Sequence, residues 1–271
     1  GGHTHELLEG IKEGENLLYS ASGEPVIITE AGKDGKHFGE LNIAFDKDGV
    51  ITKVQNNLAD TSLFHRNLIH QYMFNQILGE PEQVGIITDA PPAPKSLVEE
   101  NPHANFMCDA MLNEMDADIA IWNNSGTRNY FKKGIIDSSD IKEIAPFADN
   151  ISVAEVSEKT IVDAFKAAVE KSYTSHGNKP GLLAVSGLNY TVNPSKKCIT
   201  KMNFIDKNGN QHPIDINNPS EDKKYKVVAD SFIMSWGKEY GVLAREEECT
   251  EYPFNKAYLA CEYIKHLNKP I

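Results

Sequence analysis

Ala117-Asp-Ile-Ala-Ile-Trp-Asn-Asn-Ser-Gly-Thr-Arg128 is the stretch on which the fold turns. Ala117, Ile119, Ala120, Ile121 and Trp122 make a mostly apolar strand, and at Asn123 the chain changes to a polar run with one glycine and one arginine. In alternating α/β architecture, a loop at the C-terminal end of such a strand is the usual place for a ligand. Gly126 lets the backbone approach an anion, Arg128 supplies a planar, permanently charged fork suited to phosphate, and Asn123 bonds either ligand or loop backbone. Taken alone, the loop is equally compatible with an Arg128 that pairs with Asp137 or Asp140 across an ordinary turn.

Moving toward the C-terminus, Ser139 starts a short helix that ends before Pro146. Strand and helix then alternate: 151–156 and 160–172, followed by strands at 181–185, 189–192, 202–205 and 225–229 and a helix over 254–267. Asp206-Lys-Asn-Gly209 is a hairpin turn. Toward the N-terminus, 105–115 is helical in pattern and Pro91-Pro-Ala-Pro94 marks an exposed connection. Asp60 or Ser62 caps a helix through about Leu78, so 60–94 is the expected boundary, with one unit over 1–59 and another over 95–271. Within the first, 25–29 is a short β-branched run, and Leu41 to Val54 reads as two strands broken at Asp46-Lys-Asp-Gly49. That turn is no EF-hand, which needs glycine at its sixth position and glutamate at its twelfth. The class expected is α/β.

The chain has 271 residues, enough to bury a core without staples. Its 27 Lys plus Arg against 39 Asp plus Glu give a net charge of -12, a field that repels long nucleic acid and anionic lipid but leaves a small phosphorylated molecule possible. No apolar run reaches the length of a transmembrane segment, and no signal peptide is visible. Opening at Gly1-Gly2-His3-Thr4-His5 without an initiator Met reads as a segment cut from a longer precursor. Four scattered cysteines form no CxxC pair, so buried thiols are expected; Cys249 and Cys261 could pair in an oxidising compartment, but their separation in sequence does not establish the geometry.

His3 and His5 are two apart, a spacing that in an extended segment points both imidazoles one way, as a shared metal centre requires; a solvated turn fits as well. Phe232 sits in Ser231-Phe-Ile-Met-Ser-Trp-Gly-Lys-Glu-Tyr240 directly after an apolar strand, where Phe, Trp and Tyr either stack a planar ligand or join the core. His65, His70, His103, His176, His212 and His266 share no triad or metal spacing and read as surface or satisfied structural residues.

The pieces, in order, resemble one family over nearly the whole chain: the periplasmic and ecto-5'-nucleotidases, relatives of calcineurin-like metallophosphoesterases. Gly2-His3-Thr4-His5 resembles the last metal motif of their catalytic domain, and Ile28-Thr-Glu-Ala-Gly-Lys-Asp-Gly-Lys-His-Phe-Gly39 the strand-turn-strand after it. Asn105-Phe-Met-Cys-Asp-Ala-Met111, then Asp118-Ile-Ala-Ile-Trp-Asn123, are similar to the helix start and the strand leading into the family's Asn-x-Gly-Gly-x-Arg. Pro146-Phe147 with Asn150, and Val185-Ser-Gly-Leu188, fall in their later places.

The resemblance implies an α/β/β/α-layered 5'-nucleotidase C-terminal domain preceded by the last strands of a metallophosphoesterase sandwich. It also implies that His3 and His5 ligate one side of a centre of two divalent metal ions of zinc or manganese type. Arg128 would contact substrate phosphate, Asn123 and Gly126 would shape its loop, and Phe232 would stack on a nucleobase. The implied activity is phosphoric ester hydrolysis in a longer parent at the cell surface, in the periplasm or secreted. This segment would carry no catalytic residue, and would be inactive without the N-terminal metallophosphoesterase domain.

Three positions depart from the family pattern: Ser125 replaces its second loop glycine, Leu182 stands where a second stacking Phe is expected, and Lys238 replaces an Asp that bonds ribose. Nucleoside recognition is therefore expected to differ. A non-catalytic ligand-binding descendant, and a relative acting on cyclic nucleotides, nucleotide sugars or sulfur-linked groups, are the competing readings.

Overall fold

The computed structural model describes residues 2–65, 67–174, 179–237 and 240–271, and divides into two compact units, Gly1–Glu80 and Pro81–Ile271. The first holds two antiparallel pairs. β1 (Leu17–Tyr19) pairs with β2 (Pro25–Ile27), and β3 (His37–Phe45) pairs with β4 (Ile51–Asp60). The β3–β4 turn closes because Asp46 Oδ1 accepts the N–H groups of Asp48 and Val50, a side-chain turn as the sequence implied. Asp60 caps a short 3₁₀ turn, Thr61–Leu63, by accepting the Ser62 N–H, and α1 (Leu68–Leu78) follows.

Among the described residues of this unit no apolar side chain is buried; the buried ones are Asn16, Glu30 and Asn56. The two asparagines lace the N-terminal loops, both Nδ2 groups donating to the Gly10 carbonyl and that of Asn56 also to Leu8. These strands therefore stand on backbone and side-chain hydrogen bonds with almost no apolar burial of their own.

Every buried apolar side chain among the described residues lies in the second unit. It opens with β5 (Gln83–Ile87), within the stretch read from sequence as a connection, and continues with α2 (Pro102–Glu114), β6 (Ile119–Asn123), β7 (Gly134–Asp137) and α3 (Ser138–Ile144). β8 (Asn150–Ser157), α4 (Glu158–Thr174), β9 (Leu183–Ser186), β10 (Leu188–Asn193), β11 (Cys198–Ile205) and β12 (Gln211–Pro213) come next. β13 (Lys224–Asp230), β14 (Thr250–Asn255) and α5 (Lys256–Leu267) complete it.

The central sheet runs β14-β8-β13-β6-β9, with β13 and β6 parallel and the other neighbours antiparallel. β10-β11-β12 and β5-β7 form two further antiparallel sheets. α2 packs over β6, β9 and β13; α5 packs on α2, α3, β5 and β14; α4 packs on β8 and β11. Every residue of β6 is buried, as a strand covered on both faces requires, which is why the sequence there is apolar without alternation. The fold is mixed α/β around this sheet.

All four cysteines are free: Cys108 and Cys261 are buried, Cys249 is half-buried and Cys198 is exposed, so the expectation of buried thiols holds for two. His103 departs from the satisfied histidine expected. It is fully buried, its Nδ1 accepts the Phe131 N–H at 3.2 Å, and its Nε2 has no hydrogen-bond partner. His176 lies outside the described residues.

Candidate functional site

β6 delivers its polar tip into a 3₁₀ turn, Asn124–Gly126. Asn124 anchors that turn: its N–H donates to the Leu182 carbonyl at 3.0 Å, and its Nδ2 donates to the carbonyls of Leu97 (3.2 Å) and Glu99 (2.9 Å). Asn123 is buried and turned inward, Nδ2 donating to Ser125 Oγ at 2.8 Å, so this side chain shapes the loop. Ser125 thus supplies an acceptor that the expected glycine lacks.

Gly126 is needed for a packing reason that the sequence does not show. A Cβ there would meet Asn123 Oδ1 at 2.6 Å and Trp122 Nε1 at 2.8 Å, so the loop folds back on the indole only because the side chain is missing.

The Arg128 N–H donates to the Ile144 carbonyl at 2.9 Å, which fixes the residue where its side chain reaches outward. The pairing with Asp137 or Asp140 does not form. Asp137 instead caps α3, accepting the Ser139 and Asp140 N–H groups, while Asp140 accepts the Asp137 N–H in return. The guanidinium lies over the Phe147 ring, 5.0 Å from its centroid, and no carboxylate among the described residues pairs with it.

At the end of β13 the chain enters a π-helical turn, Phe232–Trp236, a rare form that recurs at functional sites. The turn buries Ile233 and Met234 and leaves Phe232 and Trp236 exposed, at 44% and 64%. Beside them is a cleft of about 360 Å³ lined by Asp149, Ser152, Ser235, Glu246, Cys249 and Glu251 among others, with no lysine or arginine among the described residues of its wall. Phe232 is thus presented to a cavity. Leu182 is not opposite it; that residue is buried and lines a separate pocket with Asn124 and Tyr190, so its identity has no bearing on the aromatic cleft. Lys238 lies outside the described residues.

In the sequence Phe147 stands out only through the Pro146-Phe147 resemblance, with no role attached to it. It is 42% exposed, and its place beneath Arg128 is what singles it out.

His3 and His5 do not lie on an extended segment. The backbone bends at His3 and Thr4, and His5 is left-handed (φ 63°), so the two-residue spacing no longer implies parallel imidazoles. Beside them Thr4 Oγ1 donates to Glu30 Oε2 at 2.8 Å, a bond that holds the Glu30 carboxyl below its ordinary value, while Oε1 is buried with no partner. Among the described residues no group of three or more His, Cys, Asp or Glu is placed to hold a metal ion. Two imidazoles fall short of a two-metal donor set.

The chain is 25% identical over 288 residues to the trifunctional nucleotide phosphoesterase protein YfkN of Bacillus subtilis, covering all of this chain and 19% of that protein. It is 24% identical to rat 5'-nucleotidase over 91% of this chain and 48% of the relative. Among solved structures, the 5'-nucleotidase precursor of Thermus thermophilus superposes over 98% of this chain and 56% of its own, with a TM-score of 0.66 and 22% identity, a likeness of fold. The chain therefore spans at most about half the length of these relatives. A family model described as 5'-nucleotidase, C-terminal domain, matches residues 83–245, the part that carries β6, its loop, Phe147 and the π-helical turn. With more than half of its residues under that model, the chain belongs to the 5'-nucleotidase C-terminal domain family.

Proposed function

We propose that this chain is the substrate-binding part of a 5'-nucleotidase-like, metal-dependent phosphoesterase that hydrolyses nucleotides or related phosphate esters. The observation that carries the reading is the state of Arg128: an exposed guanidinium just past the C-terminal end of β6, placed over the Phe147 ring and unpaired with any carboxylate among the described residues. Such a group keeps its fork open for a phosphate.

The leaving group occupies the cleft beside Phe232 and Trp236. Its wall of carboxylates and serines repels phosphate and accepts hydroxyl and amino donors, and its exposed rings stack planar groups. Phe232 and Trp236, rather than a residue at Leu182, are the aromatic surfaces available. Arg128 thus takes the anion, and the cleft takes the uncharged remainder.

His3 and His5 are this chain's contribution to a centre whose other ligands come from the N-terminal metallophosphoesterase domain of a longer polypeptide. Two divalent cations bound there would supply Lewis-acid charge and a more acidic water. Catalysis requires that domain, and the setting proposed with it is the cell surface, the periplasm or the extracellular space.

Calorimetry of the chain with AMP, ribose 5-phosphate and adenosine tests the reading. Arg128→Ala is expected to weaken both phosphates and spare adenosine, while Phe232→Ala weakens AMP and adenosine and spares ribose 5-phosphate. Absence of AMP binding by the wild-type chain, or equal losses for all three ligands in both variants, would overturn it.

A further inference from the structure

Lys256 is the first residue of α5 and is fully buried. Both facts need a reason: an ammonium is disfavoured at the positive end of a helix, and burying one is strongly unfavourable where a methionine of similar volume would pack as well. Its Nζ lies 2.8 Å from Asp230 Oδ2, 5.6 Å from the centroid of the Trp122 ring and 3.5 Å from the Phe147 carbonyl oxygen. Each of those partners leads to a different part of the site. Asp230 Oδ1 accepts the Ile233 N–H at 2.9 Å and so ties the start of the π-helical turn that presents Phe232 and Trp236. Trp122 is the indole against which Gly126 folds the Arg128 loop. Phe147 carries Arg128 on its ring.

The geometry points to Lys256, with Asp230, as the positioning residue of the site: one ammonium holds the phosphate side and the aromatic side in fixed relative placement. This inference rests on the reading of the site given above. Lys256 has no exposed surface, so it acts through its partners and never on the ligand. A ligand that touches one side only is indifferent to the relative placement of the two, whereas a ligand that spans both depends on it.

The variant to use is Asp230→Asn with Lys256→Met in the full chain. Lys256→Met alone strands a buried carboxylate and loses stability for that reason, whereas the double variant removes both charges and keeps an acceptor for the Ile233 N–H. The double variant is expected to melt close to wild type and to bind ribose 5-phosphate and adenosine within about twofold of wild type, yet to bind AMP about tenfold more weakly. Wild-type affinity for AMP, or one common factor of loss for all three ligands, overturns the inference.

A ligand-free measurement stands beside it. In wild type the Arg128 side-chain protons carry an upfield ring-current shift from Phe147, expected to shrink in the folded double variant; an unchanged shift overturns the inference. If the wild-type chain binds no AMP, the proposed function falls, and this second measurement alone decides the role of Lys256.

Discussion

Arg128 is held over Phe147 at 5.0 Å by stacking, with no carboxylate among the described residues to neutralise it. A lysine cannot reproduce that arrangement, because its ammonium is a point charge without a flat face. Arg128→Lys is therefore expected to lose most of the phosphate affinity that Arg128→Ala loses, of order 1.5–3 kcal/mol for charge-assisted hydrogen bonds. Phe147→Leu should cost about 0.5–1 kcal/mol through the lost cation–π contact. Titration with ribose 5-phosphate measures both, and melting temperatures within a few degrees of wild type would show that the losses are local.

Gly126→Ala places a methyl 2.6 Å from Asn123 Oδ1 and 2.8 Å from Trp122 Nε1. Overpacking of this kind costs about 1–3 kcal/mol, read from the urea midpoint at unchanged m. Ser125→Gly restores the glycine expected at that position but removes the acceptor of the buried Asn123 amide, and should cost about 1 kcal/mol. A gain in stability from either change would contradict the packing described for this loop.

Two buried groups give the acid limb of stability a defined shape. Burial pushes the His103 imidazole below its ordinary 6.5; the backbone at Pro92 and Pro91 opposes this only in part. A base with a lowered folded pKa contributes stability that is complete above about 6.5 and is lost as pH falls from there toward the folded value. For Glu158, burial raises the carboxyl. Lys223 at 3.0 Å, the Ser220 N–H and the Tyr225 hydroxyl together outweigh that and bring it below its ordinary 4.5. Its contribution is present above about 4.5 and is lost as pH falls further. Melting temperature against pH should therefore fall in two stages, and Glu158→Gln should flatten only the second.

The central strand was legible because burial on both faces writes a continuous apolar run, Ile119 to Trp122, and the hairpin at Asp46 because its side chain makes the turn. β5, β7 and β14 were not legible: each is four to six residues long, with too little periodicity to stand out from loop. Phe232-Ile-Met-Ser-Trp236 has the composition of core, and only its π-helical backbone separates the exposed Phe232 and Trp236 from the buried Ile233 and Met234. Nothing in the local sequence marks Lys256, because its partner, Asp230, is distant in sequence. Long-range pairing of that kind leaves no local trace.

The absence of buried apolar side chains among the described residues of Gly1–Glu80 gives a prediction about cooperativity. Phe38, Phe45, Leu63, Phe64 and Ile77 are all more than half exposed, a surface that binds apolar dyes and promotes association. The chain should therefore bind anilinonaphthalene sulfonate in its folded state. Removal of residues 1–80 should abolish that binding while leaving the main thermal transition within a few degrees. Retained dye binding by 81–271 would locate the exposed apolar surface elsewhere.

Asn124 spends its backbone N–H and both protons of its side-chain amide on the carbonyls of Leu182, Leu97 and Glu99, before any ligand arrives. The loop that presents Arg128 is thus already set when substrate approaches, and association need not carry the entropy of ordering it. Affinity then depends on the quality of the fit, and a poorly matched phosphate ester meets a surface that does not yield to it.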